Sequence, residues 1–205
     1  MSCTVVCISR AVGAGGEEIG RIVAAEFGFR YADEEIIVRA AQEAGVSPET
    51  VAQVERTPGL LERILESMAR TPLAAEGLSS VAPPEPLVTP KYEGLIERII
   101  RDIADQDNVV IVAHGASLPL ADKRGVLRVL ITGSVEVRAE RLAQKADLYD
   151  WARKMIRESD RQRQRYLRRF YDVERELPTH YDLVVNTDVL SPQLAAQLVA
   201  TAVKG

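Results

Sequence analysis

The chain has 205 residues and a mass of 22.6 kDa, with 46% hydrophobic and 27% charged residues. A chain of this size buries roughly 70% of its unfolded surface in one core, which excludes wholesale disorder, a collagen-like repeat and a coiled-coil rod. Its 26 basic and 30 acidic residues leave a net charge of −4, which argues against a general nucleic-acid binder. The longest strictly apolar run, Val109 to Ala113, falls far below the ~20 residues that span a bilayer, so no membrane partner is expected.

Thr4 to Ile8 is a short β-branched run and reads as a buried strand. Cys3, just before it, and Cys7 within it are four residues apart and share one face, with Cα atoms roughly 13 Å apart at strand rise. The two thiols therefore cannot pair and make no zinc set. Free thiols fit a reducing, cytoplasmic setting, and no basic segment precedes an apolar one as in a secretory leader. The strand stops at Ser9-Arg10-Ala11-Val12-Gly13-Ala14-Gly15-Gly16. From Glu17 to Phe27 the spacing is helical, with Ile19, Ile22, Val23 and Phe27 on one face and Gly28 as the closing cap.

Asp33 to Ala44 is predicted as a second helix, and Ser47-Pro48-Glu49 as a fresh helix start. Leu60 to Met68 is amphipathic. Thr71 to Pro90 holds Pro72, Pro83, Pro84, Pro86 and Pro90 and reads as a long irregular loop. Helix returns from Tyr92 to Ile103. Val109 to Ala113 and Val126 to Thr132 are buried strands. Ser134 caps a helix, Asp150 to Tyr171 is a long helix, Tyr181 to Asn186 is the last strand, and Leu190 to Val203 the closing helix. Strands alternating with helices predict a parallel sheet.

Charge is unevenly spread. Arg153 to Arg175 holds nine basic and four acidic residues, a local +5, whereas Glu17 to Glu66 holds five basic and eleven acidic, a local −6. A basic cluster on an acidic chain points to a phosphate-bearing ligand or to a solvated helix face. Arg153, Arg157, Arg161, Arg165 and Arg169 recur every four residues and form a slowly turning stripe. The glycine loop between the first strand and its helix is a phosphate cradle, because free amides and the helix dipole favour an anion there. Aligned on Gly15, the pattern G-x-x-x-x-G-K-[ST] puts Arg10 at the first glycine, Gly16 at the lysine and Glu17 at the hydroxyl position.

Several segments occur in an order that resembles one family. They are Ser9-Arg10 with Gly13-Ala14-Gly15-Gly16, Tyr31-x-Asp33, Val109 to Val112, Leu130 to Arg141, the Arg-rich Ile156 to Arg165, and Tyr181 to Asp188. Together they resemble the cytidylate kinase-like family, relatives of bacterial cytidylate kinases among the P-loop nucleoside-monophosphate kinases. The resemblance implies a three-layer α/β P-loop kinase fold: a parallel sheet of about five strands with helices on both faces. It further implies a core of 1–32, 93–145 and 176–205, a helical acceptor-binding insertion at 33–92 and an Arg-rich lid at 146–175. ATP and magnesium would be the cofactors, a nucleoside monophosphate such as CMP or dCMP the acceptor, and the protein a monomer or homodimer.

Phosphates would then lie on Ser9, Gly13, Ala14, Gly15, Gly16, Glu17 and Glu18. Arg10, at the loop entrance, would supply the charge of the missing lysine. Arg157, Arg161 and Arg165 would stabilise the transferred phosphoryl group, since its transition state spreads charge over equatorial oxygens. Arg153, Asp160 and Arg163 would belong to the lid. Cytidylate kinases grip the acceptor with an Arg-Asp pair, and here His114 and Gly115 match those positions. Asp33 and Glu35 also resemble the paired acids of shikimate kinases, so a shikimate-like acceptor is the alternative; Asp33 could take a hydroxyl proton or, with Glu17, hold magnesium. A nucleotide-binding chain that does not transfer phosphate is a further alternative, because the lysine and hydroxyl are missing. His114 is read as a site or a core residue, His180 as structural, and Trp151 with Met155 and Ile156 as the packing face of the lid helix.

Overall fold

The computed structural model describes residues 3–45, 90–113, 115–143 and 148–205. The helices expected at Ser47 and at Leu60 to Met68, the loop from Thr71 up to residue 89, and His114 lie outside the described residues. Chain order is β1 (Val5–Arg10), α1 (Gly16–Phe27), β2 (Arg30–Ala32), α2 (Glu34–Ala44), α3 (Pro90–Ala104), β3 (Val109–Val112), β4 (Val126–Thr132), α4 (Val135–Ala143), α5 (Tyr149–Tyr171), a 3-10 turn (Pro178–His180), β5 (Leu183–Asn186) and α6 (Pro192–Lys204).

The strands form one parallel sheet in the order β2-β3-β1-β4-β5. β1 lies at its centre, in register with β3 (Val5 to Val109) and with β4 (Val5 to Val126). Alternate residues of β1 feed opposite faces. Val5 and Cys7 pack with Ile99, Ile100 and Ile103 of α3 and with Ile36 and Ala40 of α2. Val6 and Ile8 pack with Ile19 and Val23 of α1 and with Ala195, Val199 and Val203 of α6. Both faces are buried, which is why β1 and β3 read as unbroken apolar runs. The chain leaves β1 for β2 on one side and later builds β4 on the other. Its carboxyl end therefore opens at a reversal of strand order, where α/β sheets bind ligands.

Several expectations shift. β2 was not anticipated as a strand: Arg30-Tyr31-Ala32 is defined by its ladder to β3 and carries little apolar signal of its own. The last strand begins at Leu183, because Tyr181 closes the 3-10 turn and its hydroxyl is engaged by Glu176. Trp151 is not on the packing face of α5. It is 58% exposed, whereas Ala152 and Ile156 are buried. The caps at Ser134, Ser191 and Gly28 are present. Both cysteines are free, Cys7 fully buried. His180 accepts a 3.4 Å bond from the Leu177 amide through Nδ1 and braces the 3-10 turn.

Candidate active site

β1 delivers the chain to the carboxyl edge of the sheet, and the next residues turn sharply. Ala11 donates to the Ile131 carbonyl and Ala14 to the Ala11 carbonyl. Gly13 and Gly15 adopt φ of +79° and +85°, a region that side chains disfavour. Ile19 is the first amide of α1 to close a turn, onto Gly15 O. The amides of Gly16, Glu17 and Glu18 consequently have no carbonyl one turn behind them, and no side chain caps this helix start. The loop and the open helix start lie where the sequence predicts them.

A cavity of about 520 Å³ opens beside it, lined by Gly13, Gly15 and Glu18 together with Arg141, Leu142 and Leu190. Ala14, Glu17, Arg21, Thr187 and Pro192 also contribute. Backbone of the glycine loop, the apolar side chains Leu142 and Leu190 and the Arg141 guanidinium thus share one cavity. Arg141 is fixed by donating to Thr187 Oγ1 at 2.9 Å and to the Thr187 carbonyl.

Arg10 crosses Gly16. A Cβ built on Gly16 would lie 2.5 Å from Arg10 Cβ and 3.1 Å from its Cδ, so the Arg10 stem occupies the space a side chain at position 16 would need. Its Nε lies 2.5 Å from Glu17 Oε1. This is a charge contact outside hydrogen-bond geometry, since that Nε is buried and makes no hydrogen bond. Ser9 is fully buried beneath the loop, its hydroxyl 3.3 Å from that of Ser117.

Two arginines brace the loop from behind. Arg138, 4% exposed, donates to the Gly133 carbonyl (2.9 Å) and the Val12 carbonyl (3.2 Å), and forms a fork on Asp160 at 2.9 and 2.6 Å. Arg163 donates to Glu176 at 3.0 and 2.5 Å, to the Arg10 carbonyl at 3.3 Å and to the Tyr181 hydroxyl at 3.4 Å. Burial works against both charges of the second pair, yet each is favoured. Burial pushes the Glu176 carboxyl up, and the hydrogen bond and charge of Arg163 reverse this, leaving it below its ordinary value of 4.5. Burial likewise lowers Arg163, and Glu176 raises it beyond its ordinary value. Burial is also the main reason Tyr181 is held well above the usual phenol range.

The predicted residues divide. Gly13, Ala14, Gly15, Glu17 and Glu18 share the cavity, while Ser9, Arg10 and Gly16 stand outside its lining. Asp33 sits at the carboxyl end of β2, where it accepts from the Tyr31 hydroxyl (3.3 Å) and its carbonyl starts α2. Burial, then the Asp33 charge, pushes the Tyr31 phenol up to about 12. Glu35 is turned toward Arg30, which also donates to Gln106 at 2.9 Å, and so faces the amino end of the sheet. Gly115, at φ +69°, lies under α5 against Leu167 and Tyr171. Arg157, Arg161 and Arg165 are exposed, the last two on Glu158 at 2.7 and 2.9 Å. Arg153 is 3.7 Å from Glu136. Asp160 and Arg163 are the α5 residues that reach the loop's supports.

Sequence reading gave no role to Glu176, and quoted Arg138, Arg141, Tyr181 and Thr187 only within the segments that carry the family resemblance. One signal was available: Arg163 falls seven residues after Ile156 and four before Leu167, so it is a charge on the apolar stripe of its helix. No comparable signal marks Thr187, whose partner Ala14 is 173 residues away.

Comparison with known proteins agrees with this geometry. The cytidylate kinase-like family matches the chain over residues 5–189. A cytidylate kinase of Ignicoccus hospitalis is 28% identical over 201 residues, 96% of each chain. An uncharacterized protein of Eubacterium ventriosum has the same fold with a TM-score of 0.67 at 15% identity, covering 98% of this chain and 97% of the other. The shikimate kinase of Bacteroides thetaiotaomicron gives 0.56 at 13% identity over the whole of both chains. The architecture is the three-layer P-loop kinase fold, and with a match that runs from β1 past β5, the chain belongs to the cytidylate kinase-like family.

Proposed function

We propose that this protein transfers the γ-phosphoryl group of ATP to a nucleoside monophosphate of the CMP or dCMP class. The observation that carries this reading is the 520 Å³ cavity, which joins the amides of the glycine loop to Leu142, Leu190, Pro192 and Arg141. A nucleoside triphosphate offers both kinds of partner: phosphates for the loop amides and a flat base for the apolar side chains. The match to a cytidylate kinase supports the acceptor class.

An oxygen of the acceptor phosphate attacks the γ-phosphorus, the bond from that phosphorus to the bridging oxygen breaks, and ADP leaves. A phosphate acceptor is already ionised near neutral pH and needs no base. An acceptor hydroxyl would need Asp33, so Asp33 matters most in the shikimate-like alternative, which the engagement of Glu35 by Arg30 disfavours. Catalysis is positioning and charge stabilisation. Arg10 supplies the cation that position 16 lacks. Arg157, Arg161 and Arg165 face solvent on the outer side of α5, so they would contribute to the transferred group only if α5 moved and, for the last two, only by leaving Glu158.

Among the described residues no cluster of three or more His, Cys, Asp or Glu side chains could hold a metal. Glu17 at the cavity wall and Asp33 at the sheet edge are the acids that would stand beside a magnesium ion carried by the triphosphate, whose charge would offset that of the phosphates. Glu17 also holds Arg10 over Gly16.

The test is phosphoryl transfer with Mg·ATP against CMP, dCMP, UMP, AMP and shikimate, read as phosphorylated product by phosphorus NMR. CDP or dCDP is the expected product. Shikimate phosphate would move the acceptor assignment to Asp33, and ATP binding without any product would favour the chain that binds but does not transfer.

A further inference from the structure

The loop carbonyls are taken in alternation by side chains from distant elements. Arg163 of α5 donates to Arg10 O at 3.3 Å, Arg138 of α4 to Val12 O at 3.2 Å, and the Thr187 hydroxyl, just past β5, has its one proton between Ala14 O at 2.9 Å, the shorter contact, and Thr132 O at 3.1 Å. Each donor is itself held in place. Thr187 is 2% exposed and receives Arg141 on its hydroxyl. Arg138 is locked by Asp160, and Arg163 by Glu176 and Tyr181. Two other loop carbonyls close local turns: Ala11 O on Ala14 N and Gly15 O on Ile19 N.

In a trans peptide plane the carbonyl of one residue and the amide of the next point in opposite directions. Holding Val12 O therefore aims the Gly13 amide, and holding Ala14 O aims the Gly15 amide, each away from its strut. Gly13 and Gly15 are the positive-φ residues of the cavity wall. The third strut anchors the loop's first peptide, whose amide, Ala11 N, bonds Ile131 O.

We propose that Thr187 and Arg138 are positioning residues of the phosphate site: by binding the Ala14 and Val12 carbonyls they aim the Gly15 and Gly13 amides at the nucleotide's phosphates. Arg163 fixes the base of the same loop. The inference rests on the proposed nucleotide reading. It adds that phosphate affinity is set from α4, α5 and the turn after β5, and that Asp160 transmits the docking of α5 to the loop through Arg138.

The experiment measures the dissociation constants of Mg·ATP and of inorganic tripolyphosphate by calorimetry, with thermal midpoint and near-ultraviolet circular dichroism as folding controls. Thr187→Val removes the donor and keeps the shape. It is expected to weaken both ligands at least tenfold in a folded protein, while Thr187→Ser restores both to within twofold. Equal loss for tripolyphosphate is the decisive readout, because a defect confined to contacts with the base would weaken ATP alone. Loss of ATP affinity with tripolyphosphate unchanged would overturn the proposal, as would unchanged affinity for both. If Thr187→Val does not fold, Asp160→Asn serves instead. It leaves Arg138 in place but removes its fork, and is expected to weaken tripolyphosphate about threefold; no change in a folded protein overturns the proposal. A wild-type protein that binds neither ligand defeats the nucleotide reading itself, an outcome distinct from a variant that binds as well as wild type.

Discussion

The two faces of α5 put the same residue type to opposite uses. The inner face sets Ala152, Ile156, Arg163 and Leu167 out of water, with Asp160 beside them on Arg138. The outer face sets Arg157, Arg161 and Arg165 in solvent, with Glu158 shared between the last two. At about 100° per residue, positions 152, 156, 163 and 167 fall within about 60° of one another, and 157, 161 and 165 centre on the far side. Arginines every four residues, the pattern that drew notice in the sequence, are the helix's solvent stripe. The arginine that touches the loop is the one that interrupts the apolar stripe. An inner guanidinium has lost water and must be fully hydrogen-bonded, whereas an outer one is screened and holds its partner weakly.

The largest effect should come from breaking the inner pair. Removing one partner of a buried ion pair strands the other, at a cost of about 3–5 kcal/mol. Glu176→Ala leaves Arg163 facing only Tyr181 and the Arg10 carbonyl, and urea unfolding should show a loss of about 3 kcal/mol. The pair also fixes a pH dependence. The folded-state value of Glu176 lies below its ordinary 4.5, so its contribution is complete above 4.5 and disappears as pH falls through the depressed value. Wild type should therefore lose stability on the acid side more steeply than Glu176→Gln, whose side chain does not titrate. Parallel acid limbs would mean that Glu176 contributes no pH-dependent stability.

Next comes Gly115, where the inner face rests on the turn after β3. A Cβ there would lie 3.1 Å from both Leu167 and Tyr171, at φ +69°. Strain and contact together should cost Gly115→Ala about 1–3 kcal/mol. An equal cost in a background lacking the Leu167 side chain would show that the backbone conformation, not α5, accounts for it.

The outer face inverts the expectation. Changing Arg157, Arg161 and Arg165 together to Gln should shift stability by less than about 1 kcal/mol, because exposed pairs contribute little. If those arginines reach the phosphoryl group, kcat should fall about tenfold, equivalent to ~1.4 kcal/mol of transition-state stabilisation, with KM for ATP nearly unchanged. Unchanged kcat would assign the stripe to solvation, and the charge on the reacting group to Arg10 and the loop.

This contrast also marks how far the sequence could be read. The β1 run, the glycine turn and the helix start are local features, so the strand–loop–helix unit was legible from residues 4 to 28. So were β3, β4 and α5, whose periodicities are strong. β2 was not, because three residues reading Arg-Tyr-Ala become a strand only through pairing with β3. The braces of the loop were illegible for the same physical reason: Arg138 meets Val12 across 126 residues, and no local pattern encodes a contact that topology creates.

The smallest expected effect concerns Trp151, which was read as packing and stands 58% exposed. Its neighbours explain the reversal. Ala152 and Ile156 share the buried stripe, and Trp151, about 100° before Ala152, is rotated off it. Large apolar residues raise the apparent apolarity of a helix turn without saying which way they point, so a tryptophan beside a buried alanine misleads an eye that weighs size. Burial sets the contribution of an aromatic ring to stability. Trp151→Ala should accordingly change the free energy of unfolding by less than about 0.5 kcal/mol, against several for Ile156→Ala on the inner stripe. A cost above about 2 kcal/mol would require that the ring be covered in solution, and fluorescence quenching by iodide would then find it shielded.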